Sequence, residues 1–101
     1  MTASIESLSD LVTLLNRALS KPTERVAAIK TFQNYVFERT MPISGATAGQ
    51  WQILSDLAFD LDYYEPEPKR REEDSAFYGD ERLAAEIHRT LEQLTRLSSS
   101  T

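Results

Sequence analysis

Apolar residues recur at the three- and four-residue spacing of an α-helix in four stretches of this chain, and no segment alternates with period two for long enough to make a strand. Ile5, Leu8, Leu11, Val12, Leu15, Ala18 and Leu19 place one stripe on a first helix, starting near Ser4 or Ser7 and ending near Leu19. Ser7 with Asp10 three residues on forms an approximate capping box. Ser20-Lys21-Pro22-Thr23 interrupts the pattern, because Pro22 lacks a backbone donor and Thr23 can cap the next helix. A second helix is predicted from about Glu24 to Arg39, with Val26, Ile29, Phe32, Gln33 and Val36 as its stripe and Tyr35 and Phe37 widening it. Thr40 to Gly49 contains Pro42, Gly45 and Gly49 and reads as a loop. A third helix runs from Thr47 or Ala48 to about Leu61, with Trp51, Leu54, Ala58 and Leu61 on one face and Ile53 and Leu57 beside them.

Asp62 to Gly79 is a long connection in which Pro66 and Pro68 argue against a regular helix. The last helix is predicted from near Asp80 to near Leu97 on a stripe of Leu83, Ala84, Ile87, Leu91 and Leu94. Gly79 or Asp80 caps it, and Asp80 and Glu81 suit its positive end. Ser98 to Thr101 reads as a frayed polar tail. The expected fold is all-α: one domain over residues 1–101, a small antiparallel four-helix bundle with a long acidic loop between helices three and four.

Composition narrows the class. The chain has 101 residues, of which 41% are hydrophobic, enough to furnish a core. With no cysteine, neither a disulfide framework nor a thiolate metal site is available. No apolar run approaches the roughly 20 residues needed to span a bilayer, and Met1-Thr2-Ala3-Ser4-Ile5-Glu6 lacks the basic and apolar parts of a secretory leader. A soluble, cytoplasmic protein with no membrane contact is expected. The acidic balance, a formal −5, argues against direct binding to nucleic acid.

That charge is not spread evenly. Between Asp56 and Glu81 lie 10 acids and 3 bases, a local sum of −7, whereas residues 1–55 and 82–101 each sum to +1. An acidic surface of this kind attracts a basic partner.

The residues that could carry chemistry offer little for catalysis. Asp56 and Asp60 are four apart on the third helix and share a face, the arrangement that could hold a hydrated divalent cation. No second pair completes a coordination shell, so they read as a solvated face. His88 is the only histidine and stands near neither a nucleophile nor a metal cluster. Gly45, Gly49 and Gly79 are the only glycines, which excludes a glycine-rich phosphate loop. Trp51, at helical spacing from Leu54 and Ala58, reads as core. The chain is therefore expected to be no enzyme and to need no cofactor or metal.

Asp60-Leu61-Asp62-Tyr63-Tyr64-Glu65-Pro66-Glu67-Pro68 combines carboxylates, paired tyrosines and two prolines. Prolines reduce the entropy lost when a loop is fixed against a partner, tyrosines are enriched at interfaces, and carboxylates steer and pair with Lys and Arg. The expected partner-binding set is Asp56, Asp60, Asp62, Tyr63, Tyr64, Glu65, Glu67, Glu72, Glu73, Asp74, Asp80 and Glu81; the alternative is an acidic solvated loop whose tyrosines lie back on the bundle. Lys69-Arg70-Arg71 is expected to neutralise the adjoining Glu72-Glu73-Asp74 and shape the loop.

On these residues the second half of the chain, Leu54 to Leu94, resembles the colicin D-type immunity proteins, a family that includes immunity proteins of contact-dependent growth inhibition systems. The resemblance rests on a helix ending in Leu57-Ala58-Phe59-Asp60-Leu61-Asp62-Tyr63-Tyr64, the acidic proline turn Glu65-Pro66-Glu67-Pro68, and Tyr78-Gly79-Asp80-Glu81-Arg82-Leu83 opening a final helix. Lys69-Arg70-Arg71 and the stretch from Glu72 to Tyr78 fall outside that pattern. The resemblance implies a helical bundle that binds a cognate nuclease toxin, in this family often one that cleaves tRNA, and blocks its active site. A cleft that holds RNA phosphates is basic, so carboxylates can occupy it as an anionic mimic. A monomer is expected. The alternative is a non-enzymatic helical adaptor or regulatory subunit, homodimeric through an uncovered face around Phe32, Tyr35, Val36 and Phe37.

Overall fold

The computed structural model describes residues 5–39 and 41–99. Ser4 as a helix start, Thr40 in the loop, and Ser100 and Thr101 in the predicted tail lie outside the described residues. Among the described residues the chain is mostly helical, with five α-helices: α1 (Leu8–Ser20), α2 (Arg25–Phe37), α3 (Ala48–Asp60), α4 (Pro68–Arg71) and α5 (Asp80–Ser99). Two 3-10 turns, Pro22–Glu24 and Leu61–Tyr63, join them. No described helix is long and apolar enough to cross a membrane.

The expected count of four helices is corrected to five. Pro68 does not exclude a helix; it begins one, at the first position of α4, where the missing N–H would have no intrahelical partner anyway. Thr23 likewise does not cap the second helix. It lies inside the 3-10 turn that Pro22 opens, and α2 starts after Glu24 without a side-chain cap. Ser98 and Ser99, expected in the tail, continue α5.

Two other helix starts obey the sequence directly. The Asp10 carboxylate accepts from the backbone N–H of Ser7 at 3.1 Å and of Glu6 at 2.8 Å. At α3 the capping box is reciprocal: Gln50 N–H donates to Thr47 Oγ1 at 3.1 Å, and Thr47 N–H donates to Gln50 Oε1 at 2.9 Å. Gln50 is only 2% exposed, and its amide Nε2 also donates to the Leu94 carbonyl at 3.2 Å, so one buried side chain both caps α3 and ties it to α5.

Helix α1 packs on α2, α2 on α3, α3 on α5, and α1 on α5. Leu11, Leu15, Phe32, Leu54, Leu83 and Ile87 are the large apolar side chains sealed at the centre. Trp51, half-buried, packs against that cluster as expected. Two expected core assignments are corrected. Val26 is exposed in the first turn of α2, whose buried face begins with Ala28 and Ile29. The face suggested as a dimer surface is mostly internal: Phe32 and Val36 are buried, Tyr35 is half-buried, and Phe37 alone of the four is exposed.

Candidate functional site

Helix α3 runs out of apolar periodicity at Asp60 and tightens into the turn Leu61–Tyr63. Leu61 is the last buried residue there; nothing from Asp62 through Phe77 is buried. With so little apolar burial, polar groups must fix the segment. The Tyr78 N–H donates to the Tyr63 carbonyl at 3.0 Å, and the Glu65 N–H donates to the Tyr78 carbonyl at 2.9 Å. These bonds form an isolated parallel bridge between Tyr64 and Tyr78 and close the stretch between them into a loop.

The two tyrosine side chains lock the bridge. Their rings meet at 6.1 Å between centroids. The Tyr78 hydroxyl donates to the Asp60 carboxylate at 2.9 Å and lies 3.1 Å from the Asp60 carbonyl, anchoring the loop's exit to the end of α3. The Tyr64 hydroxyl donates to the Asp80 carboxylate at 2.6 Å, anchoring its entrance to the start of α5. Burial, together with donation to a carboxylate, holds the Tyr64 hydroxyl proton to a pKa of about 12; the same two causes raise that of Tyr78.

Two residues not foreseen as part of the site complete this scaffold. Arg25, with a side chain only 17% exposed, donates from Nε to the Ala18 carbonyl at 2.6 Å and from Nη2 to the Leu19 carbonyl at 3.3 Å. Its Nη1 pairs with the Asp80 carboxylate at 3.3 Å. One guanidinium thus closes the C-terminal end of α1, where cations are favoured, and holds the start of α5. Gln33 on α2 donates from Nε2 to the Ala58 carbonyl at 3.0 Å and to Asp62 Oδ1 at 2.9 Å. Its place in an apolar stripe is the available signal, since a buried amide needs partners. Nothing local in the sequence marks Arg25 or Tyr78, because their partners lie on other elements.

The twelve expected binding residues separate into a holding group and a displayed group. Asp60, Asp62, Tyr64 and Asp80 carry the scaffold bonds described above. Asp74 Oδ1 accepts from the Ala76 N–H at 2.8 Å and shapes the loop's own turn. Asp56 accepts from Gln52 one helical turn away at 2.9 Å. Glu67, Glu72, Glu73 and Glu81 are exposed, Glu65 is half-exposed, and Tyr63 is 47% exposed.

The expected neutralisation within the loop is corrected. Among the described residues, no ion pair within 4.0 Å joins Lys69, Arg70 or Arg71 to a carboxylate. The ion pairs found there join Lys21 to Glu24, Arg25 to Asp80, Arg82 and Arg89 to Glu86, and Arg96 to Glu92. Arg70 instead lines a groove with Asp62 and Glu65 without pairing with either. Arg71 lays its guanidinium over Gly79, so closely that a Cβ there would lie 1.8 Å from Nη1. Its Nε is buried without a hydrogen-bond partner among the described residues.

A groove of about 370 Å³ between α3 and α5 contains Asp56, Asp60, Glu86 and Arg89. Its carboxylates are engaged: Asp56 with Gln52, Asp60 with Tyr78, and Glu86 with Arg82 and Arg89. Among the described residues no group of three or more His, Cys, Asp or Glu side chains is placed to hold a metal ion. His88 is exposed on α5. Comparison with family models, curated proteins and solved structures returned no match for this chain.

Proposed function

We propose that this protein is a non-enzymatic immunity protein that binds a cognate nuclease toxin and covers its basic active-site cleft with the acidic face between Asp56 and Glu81. The observation that supports this reading is the display of carboxylates on a loop whose own bases do not pair with them. An antiparallel arrangement of the four long helices would serve as the frame, and the clasp of Tyr64, Tyr78, Asp60, Asp80 and Arg25 as the mount. A mounted loop loses less entropy on binding than a free one. Its charge raises the rate of encounter with a cationic cleft, which matters where an unbound toxin molecule is lethal. A tRNA-cleaving domain is the proposed target class, and the cytoplasm, where tRNA is found, the proposed compartment.

The proposal predicts that a nuclease domain is encoded beside this chain's gene, and the test is co-expression with that domain. Wild-type chain should restore growth and suppress RNA cleavage by the purified domain. A variant with Asp56, Glu65, Glu67, Glu72 and Glu73 changed to Lys should fail in both assays while keeping its helical spectrum. These five sites leave the holding carboxylates Asp60, Asp62 and Asp80 intact. Protection undiminished by the five changes rules out the acidic face.

A second reading, a helical adaptor or homodimeric regulatory subunit, is favoured by one observation, the exposed contact between Phe37 and Phe59. Sedimentation separates the two: a concentration-dependent dimer supports the adaptor, and a monomer at all concentrations supports the inhibitor.

A further inference from the structure

Phe37 ends α2 and Phe59 lies one residue before the end of α3, and the two rings meet in the open at 5.1 Å between centroids, tilted by 49°. Phe37 is 44% exposed and Phe59 64%. Both helices have a filled inner face, so these rings are surplus to the core cluster, which includes neither of them. An exposed aromatic pair is a poor use of apolar surface in a lone molecule and a common feature of an interface centre.

Its surroundings narrow the choice of occupant. Asp56 lies three residues before Phe59, Asp62 three after it and Tyr63 four after it, and all three are exposed. Asp56 shares the Phe59 face of α3, and Asp62 and Tyr63 follow in the 3-10 turn that ends it. Gln33, one helical turn before Phe37 on α2, holds Asp62 through its 2.9 Å bond. No Lys or Arg occurs between Arg39 and Lys69, a stretch that holds Phe59 together with Asp56, Asp60, Asp62, Glu65 and Glu67. On the α2 side, Glu38 comes directly after Phe37, and the nearby base Arg39 is laid over the Tyr35 ring at 4.4 Å. Lys30 and Arg70 line a groove with Asp62 and Glu65, so the rim is mixed, but Glu38, Asp56, Asp60, Asp62 and Glu65 outnumber Lys30, Arg39 and Arg70, and that excess of negative charge disfavours a second copy and suits a cationic surface with an apolar centre.

We propose that the Phe37–Phe59 pair is the apolar anchor of the docking face, and that it seats a bulky aliphatic or aromatic side chain flanked by Lys or Arg on the partner protein. The inference rests on the acidic docking surface proposed above and adds the feature that selects among cationic partners. Carboxylates bring any basic surface close; the rings retain one that also carries an apolar residue. Loss of the rings therefore acts on dissociation and loss of the carboxylates on association.

Two synthetic peptides of equal positive charge test this with the full chain. One alternates Lys and Arg with Leu and Phe; the other carries Ser at the apolar positions. Fluorescence anisotropy should show the apolar peptide bound at least about tenfold more tightly by the wild-type chain, the scale of a lost anchor. The double change Phe37→Ser and Phe59→Ser should erase that difference and leave the polar peptide's affinity unchanged. The single change Phe59→Ser, at the more exposed ring, should reduce it in part. Equal affinities for the two peptides, or a difference that survives both changes, overturn the anchor while the acidic face stands. Binding of both peptides undiminished by the five-site charge reversal overturns the acidic face itself. A wild-type dimer that the double change converts to monomer assigns the rings to self-association and also overturns the proposal.

Discussion

Leu11, Phe32, Leu54, Leu83 and Ile87, one or more from each long helix, are at most 1% exposed, whereas no residue from Asp62 through Phe77 is buried. The helical frame is held by apolar area, which is non-directional and distributed over many contacts. The acidic loop is held by a handful of directed bonds at its two ends. Damage to the frame should therefore be felt throughout the molecule. Damage to the clasp should be felt in the loop, and changes to the displayed carboxylates should be felt only by a partner. On the proposed reading, stability and recognition fall to different residues, and each should be alterable without the other.

The largest effect is expected in the frame. Phe32→Ala removes a ring with 0% exposure and should lower unfolding free energy by about 3–5 kcal/mol in urea titration. A loss under about 1 kcal/mol would mean that the centre of the core lies elsewhere. At the clasp, Tyr78→Phe deletes the hydroxyl that joins the loop's exit to Asp60 and should cost about 1–2 kcal/mol. Amide exchange separates this from a frame effect: the Glu65 and Tyr78 N–H groups should exchange faster while the centres of α1 and α5 keep their protection. Uniform acceleration would contradict the division.

The clasp also predicts an alkaline weakness. The Tyr64 hydroxyl has an ordinary pKa of 10.0 and is raised to about 12 in the folded chain, by burial first and by donation to Asp80 second. A raised pKa means that the folded chain holds the proton more tightly than the unfolded one. Its stabilising contribution is complete below pH 10.0 and disappears as pH rises through about 12. Melting temperatures measured from pH 9 to 12 should fall across this window, and less steeply for Tyr64→Phe. A slope unchanged by that substitution would remove Tyr64 from the clasp. The smallest effect is expected at Gly79→Ala. Its Cβ would strike the guanidinium of Arg71, the mobile end of a long side chain, so Arg71 should swing aside with a stability change under about 1 kcal/mol. A larger loss would show that the Arg71 contact helps to hold the loop.

The frame is the legible part of the sequence. Apolar spacing locates the long helices to within a few residues, and Ser7 with Asp10 and Thr47 with Gln50 mark two starts, because caps are local chemistry written in consecutive residues. Helix α2 is less legible. Apolar residues occur around most of its circumference, so periodicity does not show that Val26 and Phe37 face outward while Ala28 and Ile29 face in. Pro68 reads as a breaker by residue type, yet its position makes it an initiator. In the loop, the acids and Tyr63 are legible as a composition, but which of them hold and which display is not. Asp60, Asp62 and Asp80 take their roles from Tyr78, Gln33 and Arg25, residues 18, 29 and 55 positions away in sequence. Such pairings are set by how helices meet.

The most direct test is the association rate of the purified chain with the nuclease domain that the proposal predicts beside its gene, monitored by stopped flow as salt is raised from about 20 to 500 mM. The predicted result is fast association that slows steeply with salt, and at least a hundredfold slower association, nearly independent of salt, once Asp56, Glu65, Glu67, Glu72 and Glu73 are Lys. Rapid association by the reversed variant, or a wild-type rate indifferent to salt, would contradict the account.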